Sequence, residues 1–359
     1  MASGWVLETR LPTLQSLRAI AALAVVGFHI AQWIDVDFRI GQAGVDLFFV
    51  ISGAVMWISA VDKDAPPAIF LARRAIRILP AYWIATAALI GMRLWWAPLP
   101  LSHVHLDPMH IGLSLLLIPH ADPENLPFPL LTQGWTLIYE AGFYLLVAAA
   151  LFARRAYRMW IIGGVITALT IWGISWHPAY WFGANLMLMQ FLAGCVLGSL
   201  ALRRALPSPP IGAALGVLGF AVFIALHVAA IHSDPWRPIL WGVPATLVVA
   251  GSLSLDTKNG AGGPPRIKAL EWLGGASYSI YLWHTLAIVA VVNAMPYKPW
   301  PFAPLAFAAA MLTGIAAWRF IELPFVRLSR ALRVPTGPAL DYAPPPDGPV
   351  AQQDRAAVS

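Results

Sequence analysis

The run L-R-A-I-A-A-L-A-V-V-G-F-H, Leu17 to His29, decides how the rest of the chain is read. Ten apolar residues in succession, Ala19 to Phe28, predict a membrane-spanning helix, yet Arg18 and His29 stand at either end of them. They stand 11 residues apart, about three turns or roughly 16 Å along a helix axis. Eleven steps of about 100° return both side chains to nearly one face. Ionisable groups inside a span are costly and mark functional sites by default, so this stripe faces something other than lipid.

The composition agrees with a membrane setting. Of 359 residues 59% are apolar and only 11% charged, against about 25% charged in soluble domains, and the mean hydropathy is +0.69. The single Cys195 excludes an internal disulfide framework and reads as a small packing residue. A net charge of +6 speaks of orientation in a membrane rather than of nucleic acid.

Ten apolar segments, at about 15–34, 44–60, 78–97, 134–153, 159–176, 183–202, 211–231, 236–254, 271–295 and 302–323, are near the length of a bilayer crossing. The piece at 109–119 is too short and ends at Pro119, so a re-entrant or interfacial segment is expected there. With ten alternating spans, nearly all Lys and Arg fall on one side, the exceptions being mainly Arg39, Arg237 and Lys298. The positive-inside rule then puts both termini in the cytoplasm. Nothing at the N-terminus reads as a cleaved signal, and the first span is expected to be retained. One all-α membrane domain is expected over residues 10–333, with a polar loop at 255–268 and a disordered Pro-rich tail at 334–359.

Depth along these spans sorts the polar residues into two groups. His29, Asp46, Glu140 and His284 converge towards the outer half or the middle. Arg18, Arg73, Arg74, Arg77 and Glu322 lie at the cytoplasmic face. A basic inner mouth suits an anionic donor. A His beside a carboxylate suits general base catalysis on a hydroxyl. Asp46 either caps its helix or supports His29. Glu140 lies too deep for capping and shares a face with Thr136 and Tyr144 at i, i+4 and i+8. Ser277, Tyr281 and His284 share another face, which either lines a cavity or ties helices together. Glu322 is expected in a structural ion pair with Arg319 or the Arg73–Arg77 cluster. Arg73 and Arg77 share a face only if their helix begins before Pro80, and the proline itself favours a start near it. His103, His105, Asp107, His110 and His120 crowd the loop 98–133. Without ligand spacing they read as solvated rather than as a metal site.

At these residues the chain resembles the acyltransferase-3 family of membrane acyltransferases. The first-helix stretch with Arg18 and His29 fits, as do G-V-D-L-F-F-V-I-S-G at 44–53 and F-L-A-R-R-A-I-R-I-L-P-A-Y-W at 70–83. Q-G-W-T-L-I-Y-E-A-G-F-Y at 133–144, S-Y-S-I-Y-L-W-H at 277–284 and F-I-E-L-P at 320–324 complete an ordered set. The resemblance implies acyl-CoA, commonly acetyl-CoA, as a donor substrate on the cytoplasmic side, with no permanently bound cofactor or metal. It implies a sugar or lipid-linked acceptor, and no nucleic acid or obligate protein partner. His29 takes the place of the family's first-helix histidine, assisted by Asp46 or Glu140, while Arg18, Arg73, Arg74 and Arg77 take donor-binding places. Trp135, Tyr144, Ser277, Tyr281 and His284 are expected around the substrates. The family's esterase-like extracytoplasmic module is not expected on this chain. The implied setting is the bacterial inner membrane. Direct transfer and an acyl-histidine route both remain open, as does whether the pantetheine arm or the acyl group alone travels to His29. A transporter or flippase with the same polar lining is the alternative reading.

Overall fold

The computed structural model describes residues 11–96, 104–176, 186–231, 236–257, 267–295 and 301–331. Among these the chain is helical and has no strand. In chain order the helices are α1 Pro12–Trp33, α2 Ala43–Met56, α3 Pro67–Trp95, α4 Pro108–Leu115, α5 Gly134–Leu151, α6 Arg155–Trp176, α7 Leu188–Leu202, α8 Pro209–Val228, α9 Arg237–Thr257, α10 Lys268–Ala294, α11 Phe302–Ala317 and α12 Leu323–Ala331. A 3-10 turn, Arg39–Gln42, leads into α2. Wider π turns at Trp57–Val61 and Trp318–Glu322 extend α2 and join α11 to α12.

Eight stretches of described helix are long and apolar enough to cross a membrane, at 12–33, 39–61, 67–95, 134–151, 209–228, 238–256, 268–294 and 302–329. The other two expected segments are helical, as α6 with 22 residues and the shorter apolar α7 with 15, but neither is among these eight. The segment at 109–119 carries only the eight residues of α4, about 12 Å of helix against roughly 30 Å of hydrocarbon. The expected tail at 334–359 and most of the loop at 255–268 lie outside the described residues.

One expectation is corrected. α3 begins at Pro67, well before Pro80, and runs unbroken through it. Pro66 and Pro67 occupy the N-cap and first helical positions, where a missing N–H costs nothing. Pro80 is accommodated inside the helix. Two residues before it, the Ile78 carbonyl accepts a hydrogen bond from the Tyr278 hydroxyl of α10 at 2.9 Å. Arg73, Arg74 and Arg77 therefore sit on a helix, with Arg73 and Arg77 one turn apart.

Between apolar helices in lipid, small residues and shared polar contacts decide which surfaces meet. α2 is the most enclosed long helix. Its Gly53 lies against Gly194 of α7, and a β-carbon on Gly53 would collide with the Phe191 carbonyl oxygen. Gly274 of α10 presses in the same way on the Gln15 carbonyl of α1. Past α2, the buried Arg158 of α6 closes the bundle. Its guanidinium donates to the carbonyls of Val61 at 2.6 Å, Ala153 at 3.1 Å and Leu151 at 3.4 Å, and pairs with Asp64 at 2.5 Å.

Because no room exists for a methyl group at the α2–α7 crossing, Gly53→Ala should destabilise the protein by about 1–3 kcal/mol. A thermal unfolding series in detergent measures this. An unchanged midpoint would mean that the two backbones are not in contact.

Candidate active site

A cavity of about 100 Å³ lies between α1, α2, α3, α5 and α10; on the same measure a water molecule needs about 10–15 Å³. Along α5 the wall runs about 12 Å, from Thr136, bonded to Tyr281, to Tyr144, which has Arg74 and Arg77 beside it. Arg18, Phe48 and Glu140 also line it.

The arginine end is built on ring faces and one carboxylate. The Arg74 guanidinium lies over the Phe70 ring at 5.8 Å and the Tyr144 ring at 5.5 Å, so a cation is held where aromatic π faces favour it. Arg18 donates to Gln15 Oε1 at 3.2 Å. Glu140 accepts a short hydrogen bond from the Tyr144 hydroxyl, one turn along α5, and another from Ser52 Oγ of α2 at 3.2 Å.

The far end is aromatic and leads out of the cavity. Thr136 Oγ1 donates to the Tyr281 hydroxyl at 3.0 Å. The Phe48 and Tyr281 rings are 6.0 Å apart, Tyr281 and His284 5.9 Å, and His284 and His29 5.0 Å. These four rings form a continuous row from the cavity to the first-helix histidine. His29 Nδ1 lies 2.9 Å from Oε1 of the exposed Gln32. His284 is fully buried, and its Nδ1 donates to the Tyr281 carbonyl at 2.6 Å.

The expected residues thus divide. Arg18, Arg74, Arg77, Glu140, Tyr144, Ser277 and Tyr281 line one cavity. His29 and His284 adjoin its far end. Arg73 is half-buried on α3 but not in the wall, and Trp135 packs edge-on against Phe49 at 6.2 Å and Tyr139 at 6.0 Å. Asp46 is fully buried and turns towards α7, where Gln190 Nε2 donates to it at 2.8 Å and also to the Pro238 carbonyl at 3.0 Å. Among the described residues neither Asp46 nor Glu140 is hydrogen-bonded to His29. Glu322 is buried in the π turn and accepts from Ser279 Oγ at 2.6 Å.

Sequence reading missed Ser52, Phe48, Tyr278 and Gln190. Ser52 closes G-V-D-L-F-F-V-I-S-G and Tyr278 sits inside S-Y-S-I-Y, so both lay within quoted motifs. Gln190, one polar residue in an apolar run, carried the intramembrane signal already used for His29.

The loop histidines are also corrected in part; His103 is outside the described residues. His110 is buried rather than solvated, because α4 folds back onto α3. The Tyr82 hydroxyl donates to the Ser114 carbonyl at 3.0 Å, and the Leu130 amide to Ser114 Oγ at 2.8 Å. His110 Nδ1 lies 2.9 Å from His120 Nε2. Burial first, and then the His120 ring, hold His110 below its ordinary value of 6.5.

Two predictions follow from these partners. Gln190→Leu removes a buried donor from Asp46 and should lower stability by about 1–3 kcal/mol, read as a fall in thermal midpoint. A midpoint equal to wild type would show that the carboxylate does not need this amide. For His110 the unfolded loop binds a proton more readily than the folded one. The loop therefore keeps its full stability above 6.5 and loses it as pH falls below that value. Exchange of the Leu130 amide, corrected for its intrinsic rate, should accelerate between about pH 7 and pH 5; a flat profile would exclude His110 as the titrating group.

Known proteins give this geometry its context. A family model described as an acyltransferase domain matches residues 11–319. The exopolysaccharide production protein ExoZ of Rhizobium meliloti is 37% identical over 318 residues, covering 86% of this chain and 97% of ExoZ. The putative membrane-bound transacylase BcsY of Komagataeibacter xylinus is 29% identical, over 98% of this chain and 88% of BcsY. The peptidoglycan O-acetyltransferase OatA of Listeria monocytogenes is 24% identical, over 87% of this chain but only 55% of OatA. No solved structure matches. The match over most of the chain, with motifs that line one cavity, places this protein in the acyltransferase-3 family as a multi-pass membrane acyltransferase.

Proposed function

We propose that the protein moves an acyl group, acetyl above all, from acyl-CoA to a hydroxyl of an extracytoplasmic or membrane-linked sugar. It would sit in the bacterial inner membrane with both termini in the cytoplasm, as the distribution of Lys and Arg favours. The observation that carries the reading is the make-up of the cavity: three arginines in its wall, two of them beside Tyr144, and an aromatic row that leads from Tyr281 to His29.

In this reading the phosphates of the donor meet Arg18, Arg74 and Arg77, with Arg73 adding charge nearby. Guanidinium groups are well suited to phosphate oxygens. The thioester end enters between Ser52, Ser277, Tyr144 and Tyr281. Glu140 holds the Tyr144 hydroxyl and so fixes the ring on which Arg74 rests. Asp46 acts on the bundle through Gln190 and orients α2. The acceptor arrives from the opposite side, where Gln32 is exposed beside His29. With Gln32 accepting from Nδ1–H, His29 keeps a lone pair on Nε2 for the acceptor proton.

Transfer then proceeds as follows. The acceptor oxygen attacks the thioester carbonyl carbon while its proton passes to His29 Nε2. The C–S bond breaks, and the departing CoA thiolate takes that proton. The products are the O-acyl ester and free CoA. General base assistance of this kind contributes typically 10²–10⁴-fold.

Purified protein in nanodiscs, supplied with acetyl-CoA and extracted cell-envelope glycans, should release CoA only when glycan is present. His29→Ala should lower the rate by about 100-fold or more, and Arg74→Ala should chiefly raise the KM for acetyl-CoA. Equal release by wild type and His29→Ala would remove His29 from the chemistry. Neither release nor binding of acetyl-CoA would overturn the donor assignment.

A further inference from the structure

One hydroxyl in the cavity wall is left over. Ser277 of α10 is fully buried and lines the cavity. Among the described residues its Oγ makes no hydrogen bond. Thr86, Thr246 and Ser254 show the usual solution for a hydroxyl in an apolar helix, since each donates to the carbonyl four residues back. Ser277 does not take it. Ser59 and Thr170 are also unpaired, but of the three only Ser277 faces the cavity. Burying a hydroxyl without a partner is costly, and each such group in a native protein calls for an explanation.

Its depth decides which part of a ligand it meets. Thr285 of α10 donates to Gln133 at 2.9 Å, and Tyr281, one turn earlier, is bonded to Thr136 at 3.0 Å. Rising along α10 thus means descending α5, and the two helices run antiparallel. Ser277, one further turn back, comes about level with Glu140, midway along the wall between Thr136 and Tyr144. Arg74 and Arg77 lie about one turn of α5 to one side of that level, beside Tyr144. His284 lies about 10 Å to the other side along α10, and His29 adjoins it. A phosphate held by the arginines stops short of Ser277, and a carbonyl reacting beside His29 is beyond its reach.

The other polar groups of the wall are already engaged. Ser52 and Tyr144 donate to Glu140, Thr136 and Tyr281 are bonded to each other, and Tyr278 donates to the Ile78 carbonyl. Phe48, Ile51 and Leu137 add apolar surface. The matching ligand is a narrow chain, anionic at one end, with an isolated neutral polar group partway along it. The pantetheine arm of acyl-CoA has this form, because amides stand between its phosphates and its thioester. We propose that Ser277 binds an amide of the pantetheine arm and so selects the donor by its arm as well as by its phosphates. The assignment rests on the acyl-transfer reading above. A serine hydroxyl serves either side of an amide, donating to its carbonyl or accepting from its N–H. A site built to hydrogen-bond a ligand group discriminates against analogues that lack it, since they leave the buried partner unpaired. Acyl donors without such an arm, acyl phosphates among them, leave Ser277 as it stands in the free protein.

The test crosses variants with a ligand that lacks the arm. Dissociation constants of acetyl-CoA and of phosphoadenosine diphosphate, the nucleotide portion of CoA, are measured calorimetrically in nanodiscs for wild type, Ser277→Ala and Ser277→Cys. Cysteine fills the same space but is a weak hydrogen-bonding group. Both variants should bind acetyl-CoA about fivefold more weakly than wild type, as for one lost hydrogen bond. Both should bind the arm-free nucleotide within about 1.5-fold of wild type. The thermal midpoint of ligand-free Ser277→Ala should not fall, because the hydroxyl it removes has no partner there. Wild-type affinity for acetyl-CoA in Ser277→Ala overturns the proposal. So does wild-type affinity in Ser277→Cys alone, which would make the residue a filler of space, or an equal loss for the arm-free nucleotide. A lowered midpoint in Ser277→Ala would mean that the hydroxyl is engaged in the resting fold, and overturns it as well. Each of these leaves the donor assignment standing if wild type binds acetyl-CoA. Binding of neither ligand by wild type overturns the donor assignment, and this proposal with it.

Discussion

The crossing of α2 and α7 sets the geometry of the site. α2 has two jobs on opposite faces. One face carries Asp46, Val50 and Gly53 and is fixed to α7, by backbone contact at Gly53 and Gly194 and by the Asp46–Gln190 hydrogen bond. The other carries Val45, Phe48, Ser52 and Val55 and forms a wall of the cavity. A helix in lipid gains little from burying apolar surface, so its rotation is set by steric fit and by the few polar bonds available. Rotating α2 by one residue position would carry Ser52 away from Glu140 and bring a larger side chain to the place of Gly53. The cavity wall is therefore only as well placed as the contact behind it.

Phe48 shows how the wall is tied into the remainder of the bundle. It packs against all three apolar clusters: that of α2, α3, α5 and α6, that of α1 with α7, α8 and α9, and that of α1 with α10 and α11. It also faces Tyr281 at the far end of the cavity. Arg74 has the corresponding place at the near end, where α3 meets α5 through the Phe70 and Tyr144 rings. Both ends of the cavity are thus held by aromatic contacts, which keep shape without adding charge to the bundle.

Much of this was legible from spacing alone, because a helical face is a local property. Thr136, Glu140 and Tyr144 at i, i+4 and i+8 do share the cavity wall, as do Ser277 and Tyr281 at i and i+4. What spacing could not show is how helices are rotated against one another. Asp46, deep in the most specific motif, turned to α7 because Gln190 waits there, 144 residues away. The beginning of α3 was hidden for a different reason. Pro80 carries the same local signal as Pro66 and Pro67, and spacing alone does not tell an interior proline from a first-turn one. His110 escaped because burial in a loop depends on where α4 folds back.

The hydrogen bond between Tyr144 and Glu140 bears on how such a chain enters a bilayer at all. Donor and acceptor lie one turn apart on the same helix, so the pair can close as soon as α5 forms. Thr86, Thr246 and Ser254 are similarly bonded to carbonyls four residues back on their own helices. These side chains need no neighbouring helix in order to leave water. Asp46 is the opposite case, since its amide partner is synthesised several spans later. Its place in the first turn of α2 lets the carboxylate stay near the membrane surface until α7 arrives. The order in which helices are made is thereby compatible with the order in which their polar groups find partners, and the cavity itself closes only when α10 joins the bundle.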